Sequence, residues 1–402
     1  MSTLNIVVLG AGFAGLQSAH YILQHTIPQL PKSDTYHVYL INPSKEFYHM
    51  VSAPRSVISD ILIDPSIAFM DIAKGFSQYP ASNFTFLQAS VSSIDTASRA
   101  LQYTSTEPSV RDGTLHYHAL VIATGTAQSS PLFWQTPETK TARQSFRDQL
   151  ATANNIIIGG GGPVAVEIAG EIGDHLNTRN ASKHKATITL LTSASKLLPV
   201  LREDVAAHAE TYLNSVGVTV RYNAKIAAAT TDKSGAHVKL ASGEEIHADM
   251  YIPAIGAKPN TGFLPNTVLT PSAHIDTNAS SLRVDGAGPR VYALGDVSSA
   301  SPGGILHLTN MIPVVVTNLK RDLEAFAAGK GDQLSGKDMA WVPDVRKSQF
   351  VPVGRSKGVG MLFGWKIPSL IVWAIKGRDY MISFGTGYMD GTSMKKEVVW
   401  KG

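Results

Sequence analysis

The sequence contains no cysteine. That excludes a disulfide framework, thiolate metal ligands, a cysteine nucleophile and a dithiol relay, so redox chemistry must belong to a bound cofactor. Long apolar runs are missing too. Nothing reaches the roughly 18 uninterrupted apolar residues that span a bilayer. The nearest approach, 361–375, is broken by Lys366 and Pro368. Position 2 is Ser, not the glycine of N-myristoylation. A strand-like run begins at Leu4 and leaves no room for a targeting peptide before it, so a soluble, cytoplasmic protein is the expectation. Zinc-ligand spacing, H-E-x-x-H and G-x-S-x-G are absent, so no metal site is expected. No recognised nucleic-acid module is present either.

Charge is sparse, at 16% of residues, and uneven. Residues 1–336 hold 24 Lys+Arg against 26 Asp+Glu, whereas 337–402 hold 11 against 5. The whole positive excess therefore lies in the last segment. A basic segment with exposed apolar residues can attract an anionic membrane surface. A merely solvated basic face is the alternative.

What is present is a chain of 402 residues, 44% hydrophobic, with 34 glycines and 21 prolines in no repeating period. Collagen-like and disordered classes are out, and two or three domains of roughly 100–200 residues are expected. Leu4–Leu9 is a β-branched apolar run suited to a buried parallel strand. Gly10-Ala-Gly12-Phe13-Ala14-Gly15 follows, then a helical pattern over 16–24 and a second strand over 36–41. In such a turn Gly10 permits the tight bend, Gly12 lets the backbone approach a pyrophosphate, and Gly15 lets helix and strand pack closely. The phosphates then meet free N–H groups at the helix's positive end. Asn42 stands where an acid usually bonds the adenosine ribose, and is kept as the ribose contact.

A second such unit begins about 150 residues later. A strand over 155–158 leads into Gly160-Gly-Gly162-Pro163-Val164-Ala165, the fingerprint with alanine in its third place. A helix over 166–176 and a strand over 186–191 complete it. That strand ends in Thr192-Ser193, with no acid to repel the extra phosphate of NADP, and Lys196 lies just beyond. NADH and NADPH are both expected to be tolerated. Three further strand ends carry signals: Thr124-Gly125, the stretch 248–260 with Gly256, and Gly295-Asp296. The first two read as crossovers between nucleotide domains. Asp296 is suited to accept hydrogen bonds from a flavin's ribityl region; a simple turn former is the alternative.

In this order the motifs resemble the two-dinucleotide-binding flavoprotein oxidoreductases, over about residues 1–330. The resemblance implies FAD on the first fingerprint and the Gly295-Asp296 turn, and NAD(P)H on the second. Phe47-Tyr-His49, Arg55, Glu167, Glu171, Val353-Gly-Arg355, Gly358-Val-Gly360 and Lys376-Gly-Arg-Asp379 look like the apoptosis-inducing-factor-like subgroup that includes the ferroptosis suppressor protein. Type II NADH dehydrogenases are the next relatives. The implied activity is NAD(P)H-dependent reduction of a quinone through FAD. Asn42, Ala165 and the missing N-terminal glycine depart from the subgroup's pattern.

Glu167 and His49 are the expected catalytic residues. Glu167 would bond the nicotinamide carboxamide; helix capping is the alternative. His49 would supply a proton or bond a flavin oxygen; a structural histidine is the alternative. Glu171 is expected to face solvent or an ion pair. Arg55 would neutralise the FAD pyrophosphate; a surface ion pair is the alternative. A helix over 307–318 would lie under the flavin, with Met311 and Ile312 lining the quinone channel or simply packing.

The expected fold is α/β: two Rossmann-like dinucleotide-binding domains plus a small C-terminal α+β segment. Residues 1–120 and 257–330 would form the FAD domain, 121–256 the NAD(P)H domain, and 331–402 the C-terminal domain. Phe363, Trp365, Ile367, Leu370, Ile371 and Trp373, flanked by Lys366 and Lys376, would dock on a membrane such as the mitochondrial outer membrane or a lipid droplet. Packing over the flavin domain or a homodimer contact is the alternative. Two other functions stay open: a tailoring flavoenzyme of a small-molecule pathway, and a redox sensor holding FAD and NAD(P)H.

Overall fold

A computed structural model describes residues 3–180, 185–332 and 337–400. Ser2 and parts of the expected C-terminal domain lie outside these. Leu4–Leu9 forms a central strand of a seven-stranded sheet among the described residues. It pairs in parallel with Tyr36–Asn42 on one side and Ala119–Ile122 on the other. Val291–Ala293 joins beyond Ala119–Ile122. Ile6, Val7 and Val8 are wholly buried, as a strand covered on both faces requires. Helix α1 (Phe13–Tyr21) follows the first strand directly. Residues 121–122 thus stay with the first sheet rather than opening the next domain.

Helix α2 (Thr139–Leu150) precedes a second parallel sheet, ordered Val218–Arg221, Thr187–Leu191, Asn155–Gly159, Met250–Pro253. Helix α3 (Pro163–Gly173) leaves its central strand, and α4 (Glu203–Ser215) packs nearby. The chain passes between the two sheets twice, and the passages pair with each other: Thr126–Gln128 runs antiparallel to Ala257–Pro259. Thr124 and Asn260 reinforce them. Thr124 Oγ1 donates to Asn260 O at 2.8 Å, and Asn260 Nδ2 donates to Thr124 O at 2.9 Å. Both crossovers read from the sequence are therefore present as paired strands.

Helix α5 (Ile305–Ala327) closes over the first sheet and is longer than the 307–318 pattern suggested. The last segment forms a hairpin, Gln349–Val353 with Lys357–Leu362, and short helical turns over Ser369–Val372 and Trp373–Gly377. It packs on α3: the hairpin backbone at Val353 and Gly354 comes so close to Gly170 that a Cβ there would fall 2.8–2.9 Å away. Among the described residues no helix is long and apolar enough to cross a membrane.

Candidate functional site

The first glycine turn has three different steric demands. Gly10 sits at φ +92°, and a Cβ on it would fall 2.6 Å from Ala123 O. A Cβ on Gly15 would fall 1.7 Å from Gly10 O, so α1 can start this close to the strand only with glycine there. Gly12 is the opposite case. Nothing lies within 4 Å of a Cβ built on it. Residues 10–14 line a cavity of about 680 Å³. Gly12 therefore keeps a backbone edge clear at the N-terminus of α1, where free N–H groups favour an anion.

Asn42, Thr124, Gly125, Gly295 and Asp296 line the same cavity. Asn42 Oδ1 accepts from Ala11 N at 3.1 Å, and its Nδ2 donates to Ser44 O at 2.8 Å. Its carboxamide thus braces the glycine turn as well as facing the cavity. Gly295 takes φ +76°, and Asp296 Oδ1 accepts from Gly304 N at 2.9 Å, tying the strand tip to the approach of α5. An open glycine edge, a helix N-terminus and a carboxylate at a strand tip around one cavity fit a dinucleotide such as FAD.

The second turn repeats the pattern. Gly160 has φ +133° and a Cβ on it would meet Ala254 O at 2.4 Å, whereas Gly162 faces open space. Ala165 is fully buried at the packing position. Thr192 is also buried, its Oγ1 accepting from Ala194 N at 3.2 Å; it braces the loop rather than facing the cavity. Lys196 donates to Leu201 O at 2.6 Å, so it is tied to its own loop. Gly256 lies outside the cavity, in a left-handed turn (φ +65°) leading into the second crossover.

The two units meet at Glu167. Pro163, Val164 and Glu167, from the start of α3, line the same cavity as the first glycine turn. Glu167 is 2% exposed. Lys376 Nζ, from the C-terminal segment, donates to its Oε1 at 2.5 Å and also lines the cavity. Burial pushes the Glu167 carboxyl up to about 6, and the Lys376 ammonium pulls against that. A carboxylic acid poised near neutrality beside a cation can orient a polar ligand group and hold or release a proton.

Several expectations are corrected. Arg55 does not reach the cavity: it is buried and its guanidinium is bonded to Glu171, Nη2 to Oε1 at 2.7 Å. Glu171 is correspondingly buried, and of its two expected settings, solvent or an ion pair, the ion pair is the one present. Met311 and Ile312 pack in the core from the inner face of α5, the second of their two expected settings; the cavity is lined instead by the first turn of that helix, residues 305–308. Packing wins there because the later turns face the sheet. His49 is buried behind the cavity wall, edge-on to Phe13, and burial drives its imidazole down to about 4. It is neutral near pH 7 and badly placed to donate a proton. The sequence presents Lys376 as a flank of an apolar patch and as part of the motif Lys376-Gly-Arg-Asp379; nothing local signals its contact with Glu167.

Comparison with known proteins agrees with this geometry. The model of the pyridine nucleotide-disulphide oxidoreductase family matches residues 4–316. Oxidoreductase phnG of Penicillium herquei is 39% identical, with 98% of each chain covered. Ferroptosis suppressor protein 1 of Taeniopygia guttata is 24% identical over 95% of this chain and 94% of its own. Type II NADH:quinone oxidoreductase of Staphylococcus aureus is 24% identical, covering 89% and 90%. Among solved structures, the sulfide:quinone oxidoreductase of Aquifex aeolicus superposes with a TM-score of 0.72 at 14% identity, covering 98% and 94%. The absence of cysteine means that the disulphide half of the family's chemistry is not available to this chain. The chain belongs to the pyridine nucleotide-disulphide oxidoreductase family, and it is an FAD-dependent NAD(P)H oxidoreductase.

Proposed function

We propose that the protein is an NAD(P)H:quinone oxidoreductase. The observation that carries this is the shared cavity: the N-terminal turns of α1 and α3 open into one space, and Glu167 and Lys376 stand on its wall. The chemistry supplied by bound FAD is hydride uptake from NAD(P)H and two-electron transfer onward, so that NAD(P)H, a proton and quinone give NAD(P)⁺ and hydroquinone. The residues of the first turn, with Asn42 and Asp296, hold FAD; Gly162 and Pro163 open the NAD(P)H side. Glu167 and Lys376 orient the reacting nicotinamide and acceptor, and the Glu167 carboxyl handles the proton drawn from solvent. Phe47, Met50, Val51, Pro54, Phe350 and Met381 give the wall an apolar character suited to a flat ring.

The electron acceptor is reached from the side of the C-terminal segment, where Trp365 and Leu370 are 77% and 71% exposed beside Phe363 and Ile371. With the basic excess of 337–402, this face supports peripheral contact with an anionic membrane. Lys376 takes no part in it, being bound to Glu167.

The test is anaerobic bleaching of the purified yellow protein by NADH and by NADPH, followed by turnover with a soluble quinone. Bleaching with rapid quinone-dependent reoxidation is expected. A long-lived charge-transfer band without turnover would favour a redox sensor. Turnover only with an unrelated metabolite would favour a tailoring enzyme. Co-sedimentation with anionic vesicles, lost on Trp365→Ser with Leu370→Ser, checks the membrane contact; a dimer in solution that these changes break would assign the patch to self-association.

A further inference from the structure

Arg55 and Glu171 meet inside the molecule, 116 residues apart in the chain. Besides Nη2, Arg55 Nε reaches both Glu171 oxygens at 3.1 Å. The other edge of the guanidinium points at main-chain carbonyls of the C-terminal segment. Nη1 donates to Gly377 O at 2.7 Å and Arg378 O at 3.0 Å, and Nη2 to Gly354 O at 3.3 Å. Tyr380 completes the cluster: its hydroxyl donates to Glu171 Oε1 at 3.2 Å, and its ring centroid lies 4.7 Å from the guanidinium carbon.

Gly377 and Arg378 directly follow Lys376. They close the helical turn Trp373–Gly377, whose last carbonyls have no partner within the helix. Arg55 supplies those partners. Lys376 carries a flexible stem, so where its ammonium sits depends on how firmly its backbone is held. Only a planar fork with five N–H groups can grip a carboxylate on one side and carbonyls on the other.

We infer that Arg55, gripped by Glu171, is a positioning residue that fixes the 376–380 turn and thereby seats Lys376 against Glu167. The inference rests on the role given above to Glu167 and Lys376, and not on the identity of the acceptor. The charged and titratable groups bearing on Glu167 are Lys376, Glu171, Arg55 and, through its phenol oxygen, Tyr380; Lys376 and Asp379 in turn bear on His49.

The test compares holoprotein carrying Arg55→Met, Arg55→Lys, Lys376→Met and the double change Arg55→Lys with Lys376→Met. One readout is amide hydrogen exchange over 373–381. Arg55→Met should speed it by about ten-fold or more while α3 stays protected. The other is the pH midpoint of anaerobic bleaching by NADH. Arg55→Lys, which keeps the charge that bears on Glu167, should move it upward as Lys376→Met does, and its double variant with Lys376→Met should move it no further. Arg55→Lys lacks the fork, and should resemble Arg55→Met in exchange. Additive shifts in the double variant, unchanged exchange, or wild-type behaviour of Arg55→Lys would overturn the inference. If Arg55→Met does not fold, Arg55→Lys carries both readouts. Neither readout uses an acceptor, so failure of quinone turnover would count against the proposed function alone.

Discussion

Lys376 Nζ lies 2.5 Å from Glu167 Oε1, across 209 residues of chain. The contact joins the helix of the second nucleotide unit to the C-terminal segment, at the wall of the cavity that the first unit opens into. One basic side chain thereby ties three parts of the sequence to one carboxyl group.

Replacing Glu167 by Gln should slow flavin reduction by NAD(P)H about ten-fold or more, because the oriented charge is lost. It should also change the stability profile. Burial lifts Glu167 from 4.5 to about 6, so its stabilising protonation is complete below pH 4.5 and is lost as pH rises through 6. That amounts to about 2 kcal/mol. Urea denaturation at pH 4 and pH 7 should show Glu167→Gln gaining on the wild type by this amount as pH rises. Parallel profiles would refute the buried titration.

His49 works in the other direction. Its imidazole is held down at about 4 by burial, and its Nδ1 has no hydrogen-bond partner. The unfolded chain takes the proton more readily, so this residue's contribution is intact above pH 6.5 and is lost as pH falls toward 4. His49→Phe should therefore reduce acid sensitivity by about 2–3 kcal/mol between pH 7 and pH 4, read as the change in denaturation midpoint. Unaltered flavin-reduction kinetics in the same variant would fit its place behind the cavity wall.

Gly12 and Gly15 should part company on substitution. Gly15→Ala places a methyl 1.7 Å from Gly10 O, and the turn cannot survive it. Little folded protein is expected. Gly12→Ala meets nothing within 4 Å, so the apoprotein should melt as the wild type does while losing its yellow colour on gel filtration. A yellow Gly12→Ala protein would contradict the placing of the pyrophosphate.

Ser193 is exposed at the end of the strand Thr187–Leu191, where an acid commonly selects against NADPH. Thr192 is buried and Lys196 is bound to Leu201 O, so neither offers strong selection. Ser193→Asp should lower kcat/KM for NADPH about ten-fold and leave NADH nearly unchanged. Equal losses for both nucleotides would place the ribose elsewhere.

Much of this architecture was legible locally. The strand Leu4–Leu9 and both glycine turns follow from short-range spacing, and Gly15 meets Gly10 O within its own turn; the neighbour that crowds Gly10, Ala123 O, comes from another strand, but the turn at φ +92° already calls for glycine there. The strand ends at Thr124-Gly125 and over 248–260 were legible as crossovers, whereas their pairing with each other, 136 residues apart at Thr124 and Asn260, belongs to the tertiary structure. The setting of Arg55, Met311 and Ile312 is not legible in this way, because local pattern says nothing of which way a side chain turns once α5 and the C-terminal segment have packed.

The sequence by itself determined two nucleotide cradles, their order and the dependence on a cofactor, since strand, turn and helix are short-range choices and cysteine is missing altogether. Only the tertiary structure decided that Lys376 belongs to Glu167 and Arg55 to Glu171. Those partners lie 209 and 116 residues apart. A buried charge takes whichever counter-charge the packed chain delivers, and that delivery is settled by the assembly of helices and sheets rather than by neighbours in sequence.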